Sequence, residues 1–266
     1  MKQKSIGLAL GSGGVKGLAH IGALRILEQN NIKIDYIAGS SIGALVGAYY
    51  ALHENVNEIE KIALEDKKGK FWAILEPSFS QGLVKGIKIE KMLDLWFGDK
   101  EFKDTKIPLC IVATDILTGE KITFKTGKIA TAVRASISIP GLFKPVQFGE
   151  KWLVDGGLCD PVPVSEVRNL GAKFVVGINL DNYQKNRWLK NDKASMASIT
   201  IAGIDVLRHY LGKYSSALAD VVVEPSFHDP DYRIWSKFFT QNTGQHIIKE
   251  GEQAMAEKIG EILKKI

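Results

Sequence analysis

A serine stands between two glycines in Gly39-Ser40-Ser41-Ile42-Gly43, directly after a short apolar run and directly before a long apolar segment. No other stretch of the chain limits the fold so sharply. Glycine on both flanks lets a strand turn into a helix more tightly than side chains there would allow. Such a turn pushes the central side chain out at the carboxyl end of the strand, over a helix N-terminus whose free N–H groups favour negative charge. Residues 34–39 therefore read as a strand. Residues 41–53, rich in Ala, Leu and Val with little charge, read as a buried helix.

The preceding segment repeats the pattern. Residues 4–10 read as a short buried strand, followed by a glycine-rich loop, Gly11-Ser12-Gly13-Gly14-Val15-Lys16-Gly17. Leu18, Ile21, Leu24, Ile26 and Leu27 then recur at helical spacing as far as Asn30-Asn31. This βαβα opening predicts a parallel sheet. Downstream, the spacing predicts helices over 55–66, 88–97, Ala130–Ser136 and Pro163–Leu170, a long helix ending near Leu218, and a C-terminal helix over 242–265. It predicts strands over 107–114, 120–125, Phe174–Asn179 and Val221–Val223, a turn at Pro140-Gly141, a hairpin over 144–154 ending at Asp155, and a polar loop over Asp181–Lys193. A length of 266 residues, 45% of them hydrophobic, supports one sizeable core. With no Pro/Ser-rich linker and no repeat, the expectation is a single α/β domain over residues 1–266.

Composition removes several classes of function. Lys2 and Lys4 precede only Ile6-Gly7-Leu8-Ala9-Leu10, too short an apolar run for a signal peptide, and no stretch approaches the ~20 apolar residues of a membrane span. Two cysteines, Cys110 and Cys159, make no disulfide framework and read as reduced thiols of a cytoplasmic protein. The net charge of +5 fits ordinary solvation and also a modest attraction to anionic lipid, which gives an expected cytoplasmic location with peripheral contact at the inner face of the membrane. No nucleic-acid module is present, and no metal-ligand spacing of His, Cys and carboxylates. No nucleic acid, metal or cofactor is expected.

The chemistry that suits these segments is acyl transfer. A serine hydroxyl needs a base to take its proton, and the negative charge of the transition state needs N–H donors aimed at it. The loop at 11–17 and Ser41 both follow strands of a parallel sheet, so they share its carboxyl edge. The base is open on these grounds. His209, His228 and His246 follow Asp155 in the order of a Ser…Asp…His triad, while His20 and His53 lie near the loop and the elbow. Asp155, at a strand end before Gly156-Gly157, can also act directly as the base if it reaches Ser41.

The chain resembles the bacterial patatin-like phospholipases, serine hydrolases of lipids. The resemblance runs over most of residues 5–180. It rests on Gly11 to Gly22, the elbow at 39–43, Ala113-Thr114-Asp115 with Thr118-Gly119-Glu120, Ala135-Ser136-Ile137-Ser138-Ile139-Pro140-Gly141, and Val154-Asp155-Gly156-Gly157 with Pro161-Val162-Pro163-Val164. It implies a three-layer α/β/α fold with a mainly parallel sheet and acyl-ester hydrolysis of phospholipids or other lipids. It also implies a Ser41–Asp155 dyad and an oxyanion hole from the amides of Gly13 and Gly14. Gly11, Gly17, Gly39, Gly43, Gly156 and Gly157 then supply the turns. Where plant members run three glycines, this chain has Ser12-Gly13-Gly14.

Several residues admit a second role. Lys16 suits an anionic head group or a solvated loop. Asp115 reads as a turn residue, Asp160 as shaping the loop before Pro161, and His20 as packing beneath the glycine loop. Phe71-Trp72-Ala73-Ile74-Leu75 suits core, a cap over the cleft, or a membrane contact. Two other functions remain to be weighed. A dinucleotide-binding opening is opposed by Lys16 in the third glycine slot and by Gly39-Ser40 where an acidic residue belongs. A catalytically quiet lipid-binding or regulatory protein could keep the same fold.

Overall fold

The structure is a computed structural model in which residues 4–65, 84–182, 196–227 and 243–266 are described. Phe71–Leu75, the polar loop beyond Asn182 and His228 lie outside the described residues. The sheet contains β1 (Ile6–Leu10), β2 (Tyr36–Ser40), β3 (Leu109–Asp115), β4 (Lys121–Phe124), β5 (Val146–Phe148), β6 (Lys151–Asp155), β7 (Phe174–Ile178) and β8 (Val221–Val223). Hydrogen bonds link them in the path β5-β6-β3-β2-β1-β7-β8, with β4 attached to β3. The centre is parallel: β1 with β2 and β7, β2 with β3, and β7 with β8. The β4, β5 and β6 ladders are antiparallel.

Alternation along each strand sorts side chains onto two faces. Leu8, Leu10, Ile37, Ile111, Val176 and Ile178 join the larger core, while Ala9, Ala38, Cys110 and Val175 join a smaller one on the other face. The larger core is covered by α1 (Leu18–Gln29), α2 (Ile42–His53), α3 (Val56–Glu65), α4 (Val84–Phe97), α5 (Ile129–Ser136) and α8 (Thr243–Lys265). The opposite face is covered by α6 (Val164–Leu170), through Val164 and Val167. The long α7 (Met196–Ser216) joins that side, where Ser215 Oγ accepts from Val162 N at 3.1 Å. The result is the three-layer α/β/α arrangement with a mainly parallel sheet that the family resemblance implied.

Two differences from the sequence reading have local causes. The helix expected over 88–97 begins at Val84; Gly86 breaks the apolar period that would have marked its first turn. The loop at 11–17 is irregular only in its first half, because Gly14–Gly17 wind into a 3₁₀ turn that leads straight into α1.

The C-terminal helix is built into the core by a backbone contact. A Cβ at Gly22 of α1 would lie 2.0 Å from the carbonyl oxygen of Ile248, and one at Gly251 of α8 would lie 2.0 Å from the carbonyl oxygen of Ala19. The two helices therefore touch main chain to main chain. Arg25 clamps the contact by pairing with Glu252 of α8 and Glu60 of α3. A methyl group on either glycine must push the helices apart. Gly22→Ala and Gly251→Ala are each expected to cost about 1–3 kcal/mol, or roughly 2–4 °C of unfolding temperature per kcal/mol, in thermal unfolding followed by circular dichroism. Unchanged melting in both would contradict the contact.

Candidate active site

The meeting of Ser41 and Asp155 follows from strand register. Ala113 and Thr114 of β3 pair with both β4 and β6, so those two strands lie on opposite edges of β3. Ile111 and Val112 pair with both β2 and β4, so β2 also lies opposite β4. Hence β2 and β6 share one edge of β3, running toward each other. The last pair of β2 is Ser40 with Val112, and the last pair of β6 is Asp155 with Ala113. Two chain ends that approach from opposite directions stop at adjacent registers, and the side chains at those ends meet.

Ser41 Oγ donates to Asp155 Oδ2 at 2.5 Å, the short end for a hydroxyl–carboxylate bond. Ser41 sits at φ 55°, ψ −123°, a left-handed conformation that a non-glycine residue rarely holds without support. Support comes from three sides. Its N–H donates to Ser136 Oγ at 2.8 Å, and that hydroxyl in turn donates to Val112 O at 2.6 Å. A Cβ at Gly39 would lie 2.4 Å from the Gly43 carbonyl, and one at Gly43 would lie 2.1 Å from the Leu10 carbonyl. Both elbow glycines are therefore required by close backbone approach.

Asp155 is 6% exposed. Burial drives its carboxyl from the ordinary 3.8 up to about 6, against the opposing pull of the hydrogen bonds from Ser41 and Gly157 N and of the Arg208 charge. Gly157 N reaches Asp155 Oδ1 at 2.8 Å, so each carboxyl oxygen has one partner. The strand end is anchored by Asp155 N to Ser138 O at 3.0 Å and Thr114 Oγ1 to Asp155 O at 2.8 Å.

The glycine loop lies beside this pair. Gly13, Gly14, Ser41 and Asp155 line one cavity of about 450 Å³, a volume suited to a small or drug-sized ligand. Ile139, Pro140, Leu142 and Leu158 give it an apolar wall. The amides of Gly13 and Gly14 donate to no acceptor among the described residues, and Gly14 takes φ 58°. Gly11 N and Ser12 N are used, on Ile178 O at 3.1 Å and Pro161 O at 2.8 Å.

The other singled-out residues sort clearly. The hydrogen bonds of Ser41 Oγ and of the Asp155 carboxylate join them to each other and to Gly157 N. His20 places Nε2 2.8 Å from the Gly11 carbonyl, directly beneath the loop, and burial lowers its imidazole to about 4. It is therefore neutral, with the proton on Nε2. Asp115 accepts from Leu117 N and Thr118 Oγ1, both at 3.2 Å, and so closes a turn. Asp160 pairs with Lys121 at 3.0 Å and ties the segment before Pro161 to β4. Lys16 is not a solvated loop lysine: its Nζ donates to Leu180 O at 2.6 Å and lies 3.6 Å from Asp181. Among the described residues, no group of three or more His, Cys, Asp or Glu side chains is arranged to hold a metal ion.

Sequence reasoning missed three contributors. Ser136 was visible in a motif but carried no assigned role. Asp181 and Arg208 line the same cavity and bond to each other, at 2.9 Å and 3.1 Å from Arg208 Nη2 to the two carboxylate oxygens. Nothing local marks either one. Asp181 opens a stretch that reads as polar loop, and Arg208 sits in a helix far downstream. Chemically, the arrangement offers a hydroxyl, a buried carboxylate able to receive its proton, and free N–H groups within one cavity that has an apolar wall.

A family model described as patatin-like phospholipase matches residues 8–168. An uncharacterized NTE family protein of Mycobacterium tuberculosis is 35% identical over 179 residues, covering 66% of this chain and 49% of that protein. Lysophospholipase NTE1 of Debaryomyces hansenii is 32% identical over 184 residues, covering 68% of this chain and 12% of that protein. This chain thus spans about half the length of its mycobacterial relative and a small part of the yeast one. The solved structure of VipD from Legionella pneumophila has a similar fold, with a TM-score of 0.55 at 13% identity over 97% of this chain and 66% of that one. The matched span contains the glycine loop, the elbow and Asp155-Gly156-Gly157, and the chain belongs to the patatin-like phospholipase family.

Proposed function

We propose that this protein hydrolyses fatty-acyl esters of phospholipids or related lipids through an acyl-enzyme on Ser41. The observation that carries the reading is the 2.5 Å hydrogen bond from Ser41 Oγ to a buried Asp155 whose carboxyl is raised to about 6. Such a carboxylate is ionised at neutral pH yet basic enough to take a proton in the transition state. As Ser41 Oγ attacks the acyl carbonyl, its proton passes to Asp155 Oδ2. The carbonyl oxygen becomes an oxyanion held by the amides of Gly13 and Gly14. Collapse expels the alcohol, which takes the proton from Asp155. A water then repeats the sequence: Asp155 accepts its proton, hydroxide adds to the acyl-serine, and the fatty acid leaves as Ser41 recovers its hydrogen. These steps use no cofactor.

Family membership supports the lipid class, and the apolar cavity wall suits an acyl chain. Peripheral contact with an anionic membrane at the cytoplasmic face is part of the same proposal, resting on the net charge of +5. Among the described residues, no helix is long and apolar enough to cross a membrane.

The first test compares wild type, Ser41→Ala and Asp155→Asn on p-nitrophenyl butyrate and on lysophosphatidylcholine, with circular dichroism to establish folding. Ser41→Ala is expected to lose at least ~10⁴-fold in kcat, and Asp155→Asn about 10³–10⁴-fold. Undiminished turnover in folded Ser41→Ala would contradict the proposal.

The second test follows pH. Asp155 must be ionised to act, so kcat/KM should rise with pH through about 6. The same group sets a stability trend. Its carboxyl titrates higher in the folded protein than in the unfolded chain, so the folded state holds the proton more tightly and stability falls as pH rises from about 4 to 6. Asp155→Asn removes the buried charge. It should melt at a higher temperature than wild type at pH 8, with the gap closing below pH 4. A gap independent of pH would show that burial of the charge is not the cause.

A further inference from the structure

The amides of Gly13 and Gly14 lie between two side-chain anchors. On one side Ser12 Oγ donates to Asp181 Oδ2 at 3.0 Å. On the other, Lys16 Nζ lies 3.6 Å from Asp181 Oδ1 and donates to the neighbouring carbonyl of Leu180 at 2.6 Å. A single carboxylate thus reaches both ends of the loop. Between those ends, Gly13 packs so close to Leu180 that a Cβ would lie 2.7 Å from its Cβ.

The carboxylate is itself held. Asp181 is 6% exposed, and a buried carboxylate is tolerated only with charged and hydrogen-bonding partners. Arg208 Nη2, from α7, touches both of its oxygens, at 2.9 Å and 3.1 Å. Its backbone is fixed as well: Asp181 N donates to Asn179 Oδ1 at 3.0 Å, and His209 Nδ1 lies 3.0 Å from Asp181 O. Arg208 borders the same cavity as Ser41 and Asp155. The chain of contacts runs from α7 through Arg208 and Asp181 to Ser12 and Lys16.

We propose that the Asp181–Arg208 pair is a strut that holds the glycine loop with its two free amides aimed at the reacting oxygen, which makes Asp181, Arg208 and Ser12 positioning residues of the reaction. This rests on the Ser41–Asp155 reading above. Donors aimed beforehand at a developing oxyanion are worth much more than donors that must reorganise, so a loop released at one anchor should lose rate without losing substrate. Arg208 has a second effect. The charged groups facing Asp155 are Arg208 and Asp181, with Lys16 and Asp205 on the same cavity wall. Removing the guanidinium takes away a positive charge that holds the Asp155 carboxyl down and leaves Asp181 opposed by Lys16 alone, which pushes the Asp155 carboxyl up.

The test uses the full chain with Ser12→Ala, Asp181→Asn, Asp181→Ala, Arg208→Gln and Arg208→Lys. It reads kcat and KM on p-nitrophenyl butyrate, the pH profile, and thermal unfolding. Asp181→Ala should lower kcat about 10²-fold with KM within about threefold, the signature of lost oxyanion donors. Ser12→Ala deletes one hydroxyl and should lower kcat about 5–20-fold in the folded protein, with a melting temperature lowered only by the amount one lost hydrogen bond to a charged group costs. Only Nη2 of Arg208 touches Asp181, so a lysine ammonium can stand in, and Arg208→Lys should retain at least fivefold more kcat than Arg208→Gln. The acidic limb of the pH profile should move to higher pH in Arg208→Gln and stay in place in Ser12→Ala.

If Asp181→Ala does not fold, Ser12→Ala and Asp181→Asn carry the test. Folded Ser12→Ala and Asp181→Asn with kcat within twofold of wild type would overturn the proposal. So would losses confined to KM, or losses of kcat that disappear once the unfolded fraction is corrected for. Failure of the underlying reading looks different, because Ser41→Ala would then retain turnover.

Discussion

The arrangement depends on one edge of β3. Because β2 and β6 share that edge and stop at Val112 and Ala113, Ser41 and Asp155 are brought together by sheet hydrogen bonds. No flexible loop has to deliver the carboxylate to the hydroxyl. The same edge supplies the support: Val112 O accepts from Ser136 Oγ, which fixes the Ser41 amide, and Thr114 Oγ1 holds the Asp155 carbonyl. Neighbouring residues of one strand thus hold both halves of the pair. A one-residue slip of β6 would turn its side chains to the opposite face and separate them.

The site opposes stability at two points. Ser41 is held in a left-handed conformation, and Asp155 is buried at a cost that raises its carboxyl to about 6. Burial thus opposes ionisation of Asp155 in the folded state. The surrounding core must over-determine both residues; Gly39 and Gly43 pack against backbone on either side of Ser41, and Gly22 and Gly251 lock α1 to α8. The C-terminal helix, which carries no chemistry-bearing motif, contributes through that packing by pressing on the helix that follows the glycine loop.

Much of this was legible in the sequence, for identifiable reasons. Short apolar runs bounded by glycine gave away β1 and β2, and the glycines of the elbow announced a close approach that the Cβ contacts bear out. The hairpin ending at Asp155 was legible as well, but not its register. Nothing within residues 144–155 says that β6 docks on the edge β2 has just vacated. The reason for Gly22 was hidden because its partner, Ile248, lies near the other end of the chain. Asp181 and Arg208 were hidden for a different reason. A carboxylate at a strand end and a basic residue in a half-exposed helix are the commonest of polar features, and only the pairing of a buried Asp181 with both Arg208 and Ser12 distinguishes them.

Hydrolysis by the proposed route requires the acyl group of the substrate to pass through a covalent bond to Ser41 Oγ. Its most direct test is acid quenching of the enzyme during turnover of lysophosphatidylcholine, followed by mass spectrometry of the peptides. The expected result is an acyl mass increment on the peptide that contains Ser41, present only while substrate remains and absent in Ser41→Ala. Turnover with no increment on that peptide, or an increment on another residue that persists in Ser41→Ala, would contradict it.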